Sequence, residues 1–187
     1  MKKNNILLII LLIVGISGFI VTDFIIKPTQ EEQRDKYQLE QQDALTHDFK
    51  DFMEYKDKYM GNASNIINLN YWLPLGNIPR SNEINSDEFE YIINYKETVW
   101  GIGEDKVKVD LIYNATANFA LIDNLQSITF NFTGDSYSIE RIDVQKWYEV
   151  NLDDLLDQSV WKNKVQNRLG DKNYVDKFWE TNFSTNK

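Results

Sequence analysis

From Ile6 to Val21 every position is apolar except Gly15, Ser17 and Gly18, and the apolar character resumes at Phe24, Ile25 and Ile26. Residues 6–26, opened by Ile6 and closed by Ile26, span roughly 31 Å as a helix, about one hydrocarbon thickness of a bilayer. A membrane-spanning signal-anchor helix is the expectation. Lys2 and Lys3 precede it, and a positive flank stays in the cytoplasm, so the N-terminus is expected inside and the remaining chain outside the cell membrane. A cleaved signal peptide is the alternative, because a basic start and an apolar core serve both purposes. Ile16-Ser17-Gly18 is the nearest small-residue cleavage site, and Ile fits the first position of such a site poorly.

The chain has 187 residues, enough for one globular domain beyond this leader. With 42% hydrophobic residues it has the apolar surface to offset the entropy of folding. Lys and Arg number 20 against 29 Asp and Glu, a formal net charge of −9. That acidic surface repels phosphate backbones and anionic headgroups, which argues against nucleic acid and leaves the apolar leader as the bilayer contact. There are no cysteines, so disulfides, thiolate metal sites, thiol nucleophiles and a lipid-modified cysteine are excluded.

Proline at position 28 marks the end of the leader helix. Residues 27–51 read as a polar, Gln-rich helical stalk and residues 52–187 as the extracytoplasmic domain. Leu45, Phe49, Phe52 and Tyr59 fall at helical spacing, with Gly61 as a stop. Asn62 or Ser64 caps a short helix carrying Ile66, Leu69, Asn70 and Leu73, ended by Pro74. Residues 75–87 read as loop. Phe89, Tyr91, Ile93 and Tyr95 alternate with less apolar neighbours, as do Val107, Val109, Leu111 and Tyr113, so two strands joined as an antiparallel hairpin are expected. Asn114 is positioned to cap an Ala-rich helix over 115–123, and Ile128, Phe130 and Phe132 make a third strand. Ser138 caps a helix through Ile142 and Trp147. Asn151 or Asp153 starts another, bearing Leu155 and Val160 and ending at Gly170. Tyr174, Phe178 and Trp179 dock the tail. The fold class is α+β: an N-terminal transmembrane helix and helical stalk, then helices packed on a small, mostly antiparallel sheet.

Tyr55-Lys56-Asp57-Lys58-Tyr59-Met60-Gly61-Asn62-Ala63-Ser64-Asn65, Leu73-Pro74-Leu75 and Asn114-Ala115-Thr116-Ala117-Asn118-Phe119-Ala120-Leu121-Ile122-Asp123-Asn124 resemble a bacterial extracytoplasmic domain-of-unknown-function family, number four-eight-two-five. The resemblance covers roughly residues 52–169. It implies an extracytoplasmic piece of the kind attached to membrane-embedded signalling or peptidase-type proteins, and carries no activity to any residue. The chain departs from the family pattern where Asn94-Tyr95-Lys96-Glu97 stands in place of a Pro-Tyr-Gly stretch.

No residue set identifies a reaction. His47 is the single histidine, and one His without Cys cannot anchor a typical zinc site, so it reads as a surface helix residue. It also lacks a Gly-x-Ser-x-Gly elbow to serve as part of a triad. Asp153, Asp154 and Asp157 read as acids at a helix start, with calcium as the alternative. Glu88 with Glu90, or Glu104 with Asp105, are the carboxylate pairs a glycosidase would need, and pairs of this kind arise by chance in so acidic a chain. The five Trp are expected in the core and at docking contacts, with a glycan-stacking platform as the alternative. The binding surface is assigned to the loop Trp100, Gly101, Ile102 and Gly103, where an exposed aromatic is combined with flexible glycines. The expected role is non-enzymatic sensing or interaction with a neighbouring membrane protein, without a cofactor. Binding of a glycan or envelope fragment is the alternative.

Overall fold

The computed structural model describes residues 11–12, 14–17, 21–22 and 26–186. It divides into two compact units, Met1–Glu40 and Gln41–Lys187. The span expected over residues 6–26 lies largely outside the described residues. Among the described residues, no helix is long and apolar enough to cross a membrane. In the first unit α1 spans Lys27–Glu40, with Pro28 as its second residue.

The second unit takes in Ala44, His47 and Phe49, all buried, so the body begins before Phe52. A helical stripe over residues 45–59 is replaced by turns and a 3-10 helix (Phe49–Tyr55) capped by Asp48; Phe49 and Phe52 are buried while Leu45 and Tyr59 are exposed. Next comes α2 (Ala63–Trp72), which follows Asn62 and buries Ile66, Leu69 and Asn70. A hairpin follows, β1 (Arg80–Asn85) and β2 (Glu90–Tyr95), with Phe89 at φ +54 in its turn. The short α3 (Val99–Ile102) and the long α4 (Glu104–Leu121) then cross to β3 (Ser127–Asn131). A second hairpin adds β4 (Ser136–Glu140), followed by α5 (Arg141–Tyr148), a 3-10 helix (Leu152–Leu156), α6 (Gln158–Lys164), a 3-10 helix (Gln166–Gly170) and α7 (Lys172–Asn182). Last, β5 (Phe183–Asn186) pairs antiparallel with β4.

The sheet has the order β1-β2-β3-β4-β5 and is antiparallel except where β2 runs parallel to β3. A parallel pair needs a crossover, and α3 with α4 provides it. The expected strand at Val107 to Tyr113 is therefore overturned, and with it the hairpin. These residues lie inside α4, which is buried on nearly every side from Asp110 to Leu121. A helix surrounded by protein is apolar all round, and over seven residues its pattern cannot be told from a strand's. Asn114 is correspondingly a buried interior residue of α4, not a cap. Strand β1 lies where a loop was expected, because the edge strand Arg-Ser-Asn-Glu-Ile-Asn carries little apolar signal.

Ser138 stands mid-strand in β4 opposite Thr129, so the helix it was expected to cap starts later, at Arg141. The helix expected from Asn151 or Asp153 to Gly170 is broken into three pieces, with Asp157 capping α6 through the Ser159 and Val160 N–H groups. On one face of the sheet Tyr91, Ile93, Ile128 and Phe130 join the core with Phe119 of α4. On the other, side chains bond across four strands: Asn94 donates to Glu83 (2.8 Å), Asn131 to Asn94 (2.8 Å) and Ser136 to Asn131 (2.7 Å). Such a polar row suits a sheet with one solvated face.

Candidate functional site

Three places in the body gather chemistry: the turn at Trp100, a groove along α5, and a buried seam on α4. At the first, the Thr98 hydroxyl accepts from the Gly101 N–H (3.0 Å) and the Glu97 carboxylate accepts from the Thr98 N–H (2.8 Å). Val99 is buried and Ile102 packs against the core, so the turn is pinned from below. Trp100 is left 92% exposed. Gly101 has a structural reason, since a Cβ there would meet the Glu97 carboxylate at 2.7 Å. Gly103, at φ +106, turns the chain into α4 in a conformation that favours glycine. Trp100, Gly101, Ile102 and Gly103 thus belong to a capped helical turn, not a hairpin loop.

The groove consists of two open concavities of about 580 and 410 Å³ that share Gln145, Asn151 and Asp154. Ile142, Lys146 and Val150 line the larger; Asp123, Arg141 and Asp153 line the smaller. Arg141 is held by its function in the fold. One of its terminal nitrogens donates to the carbonyls of Phe119 (2.6 Å), Ile122 (3.1 Å) and Leu125 (3.3 Å), which satisfies the C-terminus of α4. Burial lowers its pKa, and the charges of Asp123 and Asp153 work against that shift.

The seam follows a four-residue spacing along α4: Lys106, Asp110, Asn114 and Asn118. Lys106 donates to Asp110 (2.7 Å) and to the Gln42 carbonyl (2.6 Å). The second Asp110 oxygen accepts from the Ala44 N–H (3.1 Å). Asn114 donates to the Pro74 carbonyl, and Asn118 pairs with Asn70. Burial pushes the Asp110 carboxyl up to about 6, against the pull of Lys106.

His47 lies beside this seam and is 2% exposed, so its expected place on a helix surface is overturned. Its Nε2 lies 2.9 Å from the Trp72 carbonyl and its Nδ1 3.0 Å from the Tyr113 hydroxyl, which also accepts from Trp161 Nε1 (3.2 Å). Phe52 stacks on the imidazole at 5.6 Å. Burial lowers the His47 pKa, and the Trp72 bond and the Asp51 and Asp48 charges only partly oppose it. Sequence reading missed this cage because Gln41 to Asp48 are mostly polar. The i, i+4 spacing of Lys106, Asp110, Asn114 and Asn118 is the signal that could have marked the partner helix, whose residues 107–113 were instead expected as a strand.

The carboxylate pairs are not assembled into a cleft. Glu90 accepts from Thr129 and Glu88 from Asn85; Glu104 pairs with Lys108 and Asp105 with Lys172. Lys172 lowers the Asp105 pKa, the reverse of what a general acid needs. Asp153 pairs with Lys56 at 3.3 Å. Among the described residues, no group of three or more His, Cys, Asp or Glu side chains is arranged to hold a metal ion. Of the tryptophans, Trp161 is fully buried, Trp147 and Trp179 pack against the core, and Trp72 and Trp100 are exposed.

A family model described as a domain of unknown function (DUF4825) matches residues 52–143, from within the first 3-10 helix to the start of α5. Neither a curated protein nor a solved structure matches the chain.

Proposed function

We propose, for a chain that carries a DUF4825 domain at residues 52–143, a non-enzymatic sensing or protein-interaction role. In this reading the apolar leader, residues 6–26, anchors the protein in the cell membrane with the body outside, beside a neighbouring membrane protein. The observation that carries the interaction is Trp100. Large aromatic side chains are the commonest anchors of protein interfaces, and this one stands almost wholly in solvent on a turn ordered by Thr98, Glu97 and Val99. A backbone turn already ordered loses little further entropy on binding.

The test is crosslinking of tagged full-length protein in intact cells, with a leader-only chain and Trp100→Ala as controls. The reading requires a membrane protein captured by the body, with capture reduced at least about tenfold by Trp100→Ala, the loss from a hot spot worth about 1.4 kcal/mol. Equal capture by the leader alone counts against it. Protease added to intact protoplasts tests the orientation: a body that stays protected overturns it.

The α5 groove supports a second reading, binding of a glycan or envelope fragment, because Gln145, Asn151 and Asp154 place polar groups along one concavity. A thermal shift with soluble envelope glycan fragments checks it. No stabilisation at millimolar ligand removes this reading.

A further inference from the structure

Residues 41–48 follow α1 directly in sequence and open the second unit. They are fastened at several points. Lys106 holds the Gln42 carbonyl, Asp110 the Ala44 N–H, and Gln166 the carbonyls of both Ala44 (2.9 Å) and His47 (2.8 Å). The Asp48 N–H is bonded to the Gln41 side chain. His47 is the one imidazole of the chain and the innermost plug of this segment.

The hydrogen bonds around His47 admit one protonation state. The Trp72 carbonyl can only accept, so Nε2 carries the proton, and Nδ1 accepts from the Tyr113 hydroxyl. The Trp161 N–H in turn donates to Tyr113. The His47 ring nitrogens, the Tyr113 hydroxyl and the Trp161 N–H are all satisfied. A second proton on the ring makes Nδ1 a donor as well, and the Tyr113 oxygen would then face two donors. Its own O–H would have to find another acceptor, and among the described residues the only acceptor facing it is Nδ1. The imidazolium would also be a charge stacked on Phe52, away from water.

We propose that the segment is an acid-released latch with His47 as its trigger: a second proton on the ring detaches residues 45–48 from the body while Ala44 stays on Asp110 and α4 stays folded. The charged groups facing the segment are known. Asp48 and Asp51 attract the imidazolium, and the 3-10 helix that carries Asp51 also supplies the apolar Phe52. Helix α4 presents Tyr113, Lys106 and Asp110; α2 presents the Trp72 carbonyl, α6 Trp161, and the 3-10 helix Gln166–Gly170 the neutral Gln166. Asp43 lies near Asp110. Burial shifts Asp110 upward where it shifts His47 downward, so protonation of Asp110 is favoured by the folded state and that of His47 is opposed by it. Asp110 gains its proton as pH falls and keeps an oxygen for the Ala44 N–H, so acid leaves that anchor in place and the release stays local.

The test uses full-length protein in detergent micelles between pH 7.5 and 4.5. One histidine gives one imidazole titration by NMR, and amide hydrogen exchange, corrected for its intrinsic pH dependence, reads the latch. The His47 pKa is expected below its ordinary 6.5. From 6.5 down to that value, opening at residues 45–48 rises by up to about tenfold per pH unit, as one linked proton requires. The Ala44 amide and the α4 amides stay protected, and His47→Gln, which keeps a donor for the Trp72 carbonyl, removes the rise. A ring that titrates at 6.5 or above overturns the proposal, as does flat exchange at residues 45–48. So does a rise shared equally by α4, which would be global unfolding. Should His47→Gln not fold, the wild-type titration and exchange decide alone.

Discussion

Asn70 and Asn118 donate to one another's side-chain oxygens, at 2.8 and 3.0 Å, in the buried space between α2 and α4. Each also donates to its own helix, Asn70 to the Ile66 carbonyl and Asn118 to that of Asn114. The pair therefore sets the register of one helix against the other with its donors used. Leu69, its neighbour in α2, contributes burial without that directional constraint.

Replacing Asn118 by Leu alone strands the Asn70 amide in the core, and a cost of about 1–3 kcal/mol in urea unfolding is expected. The double variant Asn70→Leu/Asn118→Leu should cost less than the two single changes added together, because no polar partner is left unpaired. Strict additivity would mean that the two amides do not act as a unit.

Asp110 gives stability a pH dependence of definite sign. Its carboxyl sits at about 6 in the folded protein against an ordinary 3.8. The folded state therefore holds the proton more tightly, and the stability it contributes is complete below about 3.8 and lost as pH rises through about 6. Two pH units of displacement correspond to about 3 kcal/mol. Asp110→Asn should flatten this component of the profile between pH 4 and 6, measured by denaturant midpoints at each pH. His47, with its pKa lowered, contributes the opposite slope below 6.5, so the two are best separated by comparing each variant with wild type.

Trp161 and Trp100 make a matched contrast. Trp161 is fully buried, with its ring 5.1 Å from Phe52 and 5.2 Å from Tyr113, whereas Trp100 is 92% exposed. Trp161→Ala is expected to cost about 3–5 kcal/mol of stability, since it leaves a cavity and frees the Tyr113 hydroxyl from one partner. Trp100→Ala should change stability by no more than about 0.5 kcal/mol. A large loss at Trp100 would show that its turn belongs to the core and not to an interaction surface.

Much of the fold can be read from residue periodicity. Tyr91, Ile93 and Tyr95 alternate along β2, and Ile128 and Phe130 along β3, because each strand has one face in the core and one in water. Ile66, Leu69 and Asn70 mark α2 in the same way. Strands β1 and β4 escape such reading because Ser, Asn and Glu dominate them, and what makes them strands is pairing with β2 and β3. The exposed Trp100 is legible as an aromatic followed by Gly101 and Gly103. Its projection from a capped turn is not, since Thr98, Glu97 and the buried Val99 act together only once the turn is formed.

Local chemistry in the sequence by itself determined the apolar stretch at residues 6–26, the acidic surface, the absence of thiol chemistry and the helix and strand periods of the half-exposed elements. Only the tertiary structure decided that residues 107–113 are helical, that β2 and β3 run parallel, and that His47 is enclosed. The physical reason is the same in each case. A segment surrounded by protein has no solvent side to write a period into its sequence, and polar His47 and Asp110 are buried where Tyr113, Trp72 and Ala44 arrive from far along the chain to satisfy them.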